Sequence, residues 1–270
     1  MLFHTMKSFT VEHPLKDADV VFLGIPSSEG SLSSTSNFGP LIVRESLKLM
    51  EDYDGKNNIF SSLKVCDVGD VEVVPGSYQL TAKRIRETIK DIKNENPSAF
   101  IIAIGGNHLI SLPLVEALKP KTVVQLDAHA DLRSSYLGNK FMQQTWAYHA
   151  SKIAKIILVG TRTWNKEEKE YAKRNGIECY TVEEFAKKSL DLKDFHLSID
   201  VDIFDPAYVE TGLPETNGAT PEQIIKIIEA LPKPTSMDIT EIADNKLPSK
   251  TGFLAGKLIL KVLEKLVKKY

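Results

Sequence analysis

Three stretches of the chain carry side chains whose types and spacing could do chemistry. Val123-Val124-Gln125-Leu126-Asp127-Ala128-His129-Ala130-Asp131 is an apolar run ending in three potential metal ligands spaced by two. In extended backbone, side chains at i, i+2 and i+4 point to one side, so Asp127, His129 and Asp131 could converge on one point. A second run, His196-Leu197-Ser198-Ile199-Asp200-Val201-Asp202-Ile203-Phe204-Asp205, also ends in carboxylates at i and i+2, Asp200 and Asp202, with Asp205 just beyond. Ile104-Gly105-Gly106-Asn107-His108 is a third apolar exit, with two glycines that permit close backbone approach and a histidine at the top of a helix. Carboxylates gathered in this way repel one another unless cations neutralise them, and a divalent metal is the simplest cure. Oxygen donors with imidazoles and no thiolate favour manganese or a related ion over structural zinc. Two ions, sharing carboxylates and a water at a spacing of about 3.5 to 4 Å, fit the six donors His108, Asp127, His129, Asp131, Asp200 and Asp202 better than one.

Each run alone has a blander reading as a solvated turn or a set of helix caps, and a lone histidine after Gly-Gly is more often structural. Their joint occurrence, each behind a buried strand, favours the metal site. A calcium loop of the EF-hand type would need a central glycine and a glutamate at the twelfth position, where counting from Asp200 gives Thr211.

The elements that must position these residues alternate along the chain. Short apolar runs predict strands over 19–24, 63–68, 100–104, 122–127, 155–160, 177–180, 195–200 and 235–239. Several are apolar throughout, as expected of strands covered by helices on both faces of a parallel sheet. Amphipathic stretches between them predict helices over 40–50, 81–95, 113–118, 166–175, 221–231 and 251–268. Pro113 and Pro221 suit a first helical turn, with Thr220 as a cap. No linker, composition break or repeat divides the chain, which reads as one α/β domain over 1–270 whose ligand site lies beyond the carboxyl ends of the strands.

With 34 basic against 36 acidic residues, net charge -2, nothing calls for a nucleic-acid partner, and the lysine-rich stretch 257–269 reads as a solvated helix face. Cys66 and Cys179 lie far apart in apolar runs and read as buried, inert thiols. Met1 to Lys16 has no apolar leader core, and no stretch approaches the roughly 20 apolar residues of a membrane span, so a cytoplasmic protein without a membrane partner is expected.

These motifs together resemble the ureohydrolase family. GGNHLISLP is similar to the family's GGDHS element, LDAHADL to its DAHxD element, and SIDVDIFDPAYVETGLPETNGAT to its SxDxDxxDPxxxPGTGTPxxGG signature. Weaker agreement extends to FLGIPSSEGS, FGPLIVRES, DVGDVEVVPG and MDITEIAD. The resemblance implies a three-layer αβα sandwich with a mainly parallel eight-stranded sheet, two manganese ions and a homo-oligomer, trimer or hexamer. It places His108, Asp127, Asp131 and Asp200 on one ion and Asp127, His129, Asp200 and Asp202 on the other, with Asp127 and Asp200 as bridges. It also implies attack of water on a guanidinium to give urea and an amine, with Asp202 moving the proton and Glu241 orienting the substrate. Asp205 would fix its loop rather than bind metal.

Three positions depart from the family pattern. Asn107 stands where aspartate is usual. Gln143 stands where a histidine would shuttle protons, and an amide cannot carry one; His149 is the nearest imidazole, with packing or capping as its plainer role. Arg133 sits in the loop that reads amino-acid groups in arginases, and could instead pair with Asp131 or meet solvent. Thr211 to Glu215 resembles the loop version of agmatinases and guanidinobutyrases, so the small-molecule guanidino substrate expected is agmatine, with Glu215 as a further binding residue. Other guanidino or formimino substrates, and a metal-binding subunit without catalysis, stay open at this point.

Overall fold

The computed structural model describes residues 13–31, 36–188 and 191–267. The start of the chain, where no leader was expected, and the last residues lie outside them. Eight strands run Val20–Ile25 (β1), Val65–Asp70 (β2), Phe100–Gly105 (β3), Thr122–Leu126 (β4), Lys155–Val159 (β5), Glu178–Tyr180 (β6), Phe195–Asp200 (β7) and Ser236–Thr240 (β8). They form one sheet in the order β2-β1-β3-β8-β7-β4-β5-β6, and every pairing is parallel. The continuously apolar strands β1 and β3 are buried along their whole length, and so is the more polar β7. The edge strands β2 and β6 are open in part.

Helices among the described residues are Gly39–Lys48 (α1), Ile59–Ser62 (α2), Tyr78–Glu95 (α3), Ser111–Leu118 (α4), Trp146–Ala150 (α5), Lys166–Arg174 (α6), Val182–Ala186 (α7), Pro221–Ala230 (α8) and Lys250–Leu263 (α9). Ile42, Val43 and Leu47 of α1, Phe185 of α7, Ile224, Ile227 and Ile228 of α8 and Leu258, Ile259 and Leu263 of α9 pack on one face of the sheet. Ile85, Ile89 and Ile92 of α3, Leu114 and Val115 of α4, Trp146 of α5 and Ala172 of α6 cover the other. The result is the αβα sandwich expected. No helix of the described residues is long and apolar enough to cross a membrane.

Local signals explain the ends of several helices. Thr220 accepts from Gln223 N–H at 3.3 Å while Gln223 Oε1 accepts from Thr220 N–H at 2.8 Å, closing a capping box before Pro221. Asn165 and Glu168 do the same for α6. Two expectations are corrected. The C-terminal helix is no solvated face: nine of its residues are buried and it ends at Leu263, because its apolar positions cover the sheet while Lys261 and Lys265 reach back to Glu229. The thiols are not buried either. Cys66 is half-buried and Cys179 exposed, since each stands on an edge strand with a neighbour on one side only.

Candidate metal centre

Residues distant in sequence meet because β3, β8, β7 and β4 are consecutive in the sheet, and their carboxyl ends carry His108, Glu241, Asp200 with Asp202, and Asp127 to Asp131. The convergence is not the extended alternation anticipated from the spacing. β4 ends at Leu126, Asp127 Oδ1 accepts from His129 N–H at 2.6 Å, and Asp131 takes a left-handed φ of 51°. β7 ends at Asp200, whose Oδ1 accepts from Asp202 N–H at 2.8 Å and caps a 3-10 turn, Val201–Ile203. Asp127 with His129 and Asp200 with Asp202 therefore form Asx turns, each a local hydrogen bond that bends the chain at the strand exit.

At the β3 exit Gly106 is pressed against Ser27, where a Cβ would lie 2.0 Å from the carbonyl oxygen. Asn107 Oδ1 accepts from Leu109 N–H at 3.0 Å and its Nδ2 donates to the Glu29 carbonyl at 2.5 Å. An aspartate there would have no hydrogen for that carbonyl, which gives the amide a structural reason. These contacts fix His108 at the start of the turn that leads into α4.

Two clusters result. Around His108 Nδ1 lie Asp127 Oδ2 at 3.0 Å, Asp200 Oδ2 at 3.1 Å and Asp131 Oδ2 at 3.5 Å. Around His129 Nδ1 lie Asp202 Oδ2 at 2.7 Å and Asp127 Oδ1 at 3.7 Å. Asp127 belongs to both, and among the described residues the groups able to hold a cation are His108, Asp127 and Asp131 on one side and Asp127, His129 and Asp202 on the other. Asp200 reaches the first group through Oδ2.

The donors suit divalent cations. His108 Nδ1 is buried and has no hydrogen-bond partner although three carboxylate oxygens surround it. His108 Nε2 lies 2.9 Å from Ser198 Oγ, whose hydroxyl donates to Asp238 Oδ1 at 2.8 Å. The side chains gathered here are carboxylates and imidazoles, the donor types that hard and borderline divalent cations take. Without an ion, burial pushes the carboxyls of Asp131, Asp200 and Asp202 up, and the neighbouring carboxylates push in the same direction. Burial works against the charged His108 and His129, yet the adjacent carboxylates outweigh it and raise both. Asp127 goes the other way: burial opposes its charge, but the two imidazoles hold it well below the usual carboxylate range. Protons here do what cations would do.

Glu241, just beyond β8, has a left-handed φ of 62°. Its Oε1 accepts from His108 N–H at 2.9 Å, its Oε2 is buried without a partner, and burial pushes the carboxyl up to about 7. Glu215 Oε1 stands 3.6 Å from His129 Nε2, half-exposed. Asp205 lies apart from both clusters and accepts from Ala207 N–H at 3.1 Å and Gly218 N–H at 3.3 Å, so it fixes its loop as anticipated. Gln143 is buried with Oε1 unpartnered, in the turn Gln143–Thr145 before α5. His149 bonds the Lys140 carbonyl at 2.8 Å and stacks on Phe141, which is the packing role. Arg133 leaves Asp131 alone; it lies 4.7 Å over the Tyr136 ring and 4.0 Å from Glu168.

Several residues that shape the centre carry no role in the sequence reading. Arg162, after β5, donates to the carbonyls of Asp202 and Glu215, both at 2.8 Å, and so ties the Asp202 turn to the Glu215 loop. Gln125 Nε2 donates to Asp127 Oδ2 at 2.7 Å. Gln125, His196, Ser198 and Asp238 are polar side chains at fully buried strand positions; that mismatch between type and place was visible in the sequence as a signal.

An all-parallel αβα sheet with two adjoining oxygen-and-imidazole clusters at its carboxyl edge defines a class suited to hydrolysis with paired divalent cations. The sequence model described as the arginase family matches residues 18–264. Agmatinase of Pyrococcus horikoshii is 35% identical over 279 residues, covering 97% of this chain and 98% of its own. N(1)-aminopropylagmatine ureohydrolase of Thermococcus kodakarensis is 34% identical over 272 residues, covering 95% and 94%. The solved structure of agmatine ureohydrolase of Thermoplasma volcanium superposes with a TM-score of 0.83 at 26% identity, covering 94% of this chain and 92% of that one. The chain belongs to the arginase family. Its activity is hydrolysis of a C–N bond in a guanidino group, and it is an agmatinase-like ureohydrolase.

Proposed function

We propose that the protein hydrolyses agmatine to putrescine and urea with two manganese ions, one held by His108, Asp127, Asp131 and Asp200 and the other by Asp127, His129, Asp200 and Asp202. The observation that carries this reading is the pair of clusters sharing Asp127. An all oxygen-and-imidazole donor set supports manganese, and the names of the agmatinase relatives support the substrate.

When bound, paired divalent ions supply a hydroxide nucleophile at neutral pH. The chain's own residues do the rest. Asp202, with Oδ1 on Ala128 N–H at 2.9 Å and Oδ2 on His129, is fixed in two places; it accepts the proton lost by the attacking water and passes it on toward the leaving nitrogen as the C–N bond breaks. Glu241 presents its unpartnered Oε2 to the guanidinium N–H groups and orients the carbon for attack. Glu215 at the rim suits the cationic amine at the far end of agmatine. Gln143 moves no proton, so a water must serve the leaving amine.

A second substrate, N(1)-aminopropylagmatine, is favoured by one observation: the relative of that name is nearly as similar as the agmatinase. Both compounds carry a guanidinium and a cationic tail. With this reading go a single domain over the whole chain, a cytoplasmic setting, and a trimer or hexamer that sedimentation would reveal. Urea release by manganese-loaded protein from agmatine, its aminopropyl derivative, arginine and guanidinobutyrate tests the assignment. Agmatine or its derivative should give urea; no urea from any of them, with two ions bound, would leave a metal-binding protein without this activity.

A further inference from the structure

Beneath the ligand layer lies a second polar layer inside the sheet. Parallel register sets Gln125 of β4 beside Ser198 of β7, and Ser198 beside Asp238 of β8. His196 pairs with Ser236 one step lower. Residues two apart on a strand share a face, so Ser198 lies directly under Asp200, and Gln125, bonded to Asp127, lies under that residue. His196, Ser198 and Asp238 have no exposed surface. They form a chain: Ser236 Oγ to His196 Nδ1 at 2.8 Å, His196 Nε2 to Asp238 Oδ2 at 2.8 Å, Ser198 Oγ to Asp238 Oδ1 at 2.8 Å, and His108 Nε2 to Ser198 Oγ at 2.9 Å. Burial opposes the charge on Asp238, but the His196 bond outweighs it and keeps the carboxyl below its ordinary range.

We propose that Asp238, anchored by His196 and acting through Ser198, is a positioning residue that keeps the hydrogen of His108 on Nε2 and leaves Nδ1 bare and aimed at the metal position. The polarity follows from what each group can do. An ionised carboxylate only accepts, so the Ser198 hydroxyl must donate to it. Ser198 then has only lone pairs for His108, so Nε2 must carry the N–H, and a neutral imidazole with its hydrogen on Nε2 has an electron pair on Nδ1. That pair faces Asp127, Asp131 and Asp200. The opposite tautomer would set lone pair against lone pair at Ser198, which is fully buried. The Trp146 ring, 4.7 Å from that of His108, limits tilting. The inference rests on His108 being a metal ligand.

Asp238→Asn and Ser198→Ala test it. The asparagine amide can donate to Ser198 and reverse the chain, whereas alanine removes the link without burying a new polar group. The readout is manganese binding to the chelated protein by titration calorimetry, with melting of the metal-free form alongside. Wild type should take up two ions, and both variants should lose about 10- to 100-fold in affinity at one site while the other holds. If Asp238→Asn fails to fold, Ser198→Ala carries the test. Wild-type affinity at both sites, or equal weakening of both with a lower metal-free melting point, would overturn the positioning role while the ligand assignment stands. Wild type that binds no ion would overturn both.

Discussion

Asp131 and Glu241 hold left-handed backbone that non-glycine residues adopt only when their surroundings impose it. Both face His108, one through its carboxylate and one through its hydrogen bond to the backbone. Their acidic type and place in the motifs could be read from the sequence; their conformation could not, since it depends on contacts with β3. The same holds for Asp127 and Asp200, whose spacing announced a ligand pair but whose Asx turns arise only where the strands stop. Asn107, a departure from the family pattern, is a cap with a second bond. Glu241→Gln keeps an acceptor for His108 N–H and loses the charge that holds a guanidinium. It should lower kcat/KM by about 100-fold or more in steady-state urea assays, while calorimetry at about pH 8 shows a melting temperature no lower than that of the wild type, because no buried carboxyl has to ionise there. Gln143→His should raise kcat about tenfold or more by restoring a general acid. An unchanged rate would mean that position 143 does not face the leaving nitrogen.

Strands and helices set how these residues meet. The apolar runs gave seven of the eight strands to within a residue or so, while β2 begins two residues later than its pattern, because Leu63 is buried by packing rather than by pairing. The short helices α2, α5 and α7 carry too few turns for a helical repeat to show. Strand order was the part that no local pattern holds. It joins β3, β8, β7 and β4 and brings residues from 108 to 241 together. Tight approach of β3 to the Ser27 loop depends on Gly106. Gly106→Ala must displace backbone and should cost about 3 kcal/mol or more in chemical denaturation. Arg162→Ala frees the carbonyls of Asp202 and Glu215 together. It should raise KM for agmatine several-fold and leave the core stable, with hydrogen exchange rising at residues 202–216.

Across the whole molecule the buried charges make stability depend on pH and metal in a linked way. Asp131, Asp200, Asp202 and Glu241 hold protons more tightly folded than unfolded, Glu241 up to about 7, and so do His108 and His129. Such groups add stability below their unfolded values, about 4 for carboxyls and 6.5 for imidazole, and lose it as pH rises through the folded ones. Asp127, lowered, contributes the reverse dependence only at acid pH. The chelated protein should therefore melt at a lower temperature at about pH 8 than at about pH 6, and the rise in melting temperature on adding manganese should be larger at the higher pH, because ions replace protons. Scanning calorimetry at both values checks it; a metal effect that shrinks with pH would count against cations at this cluster. The most direct measurement follows urea release from agmatine while metal-free protein is titrated with manganese. The rate should climb and break at two ions per chain; a break at one ion, or saturation with two and no urea, would contradict a paired-ion ureohydrolase centre.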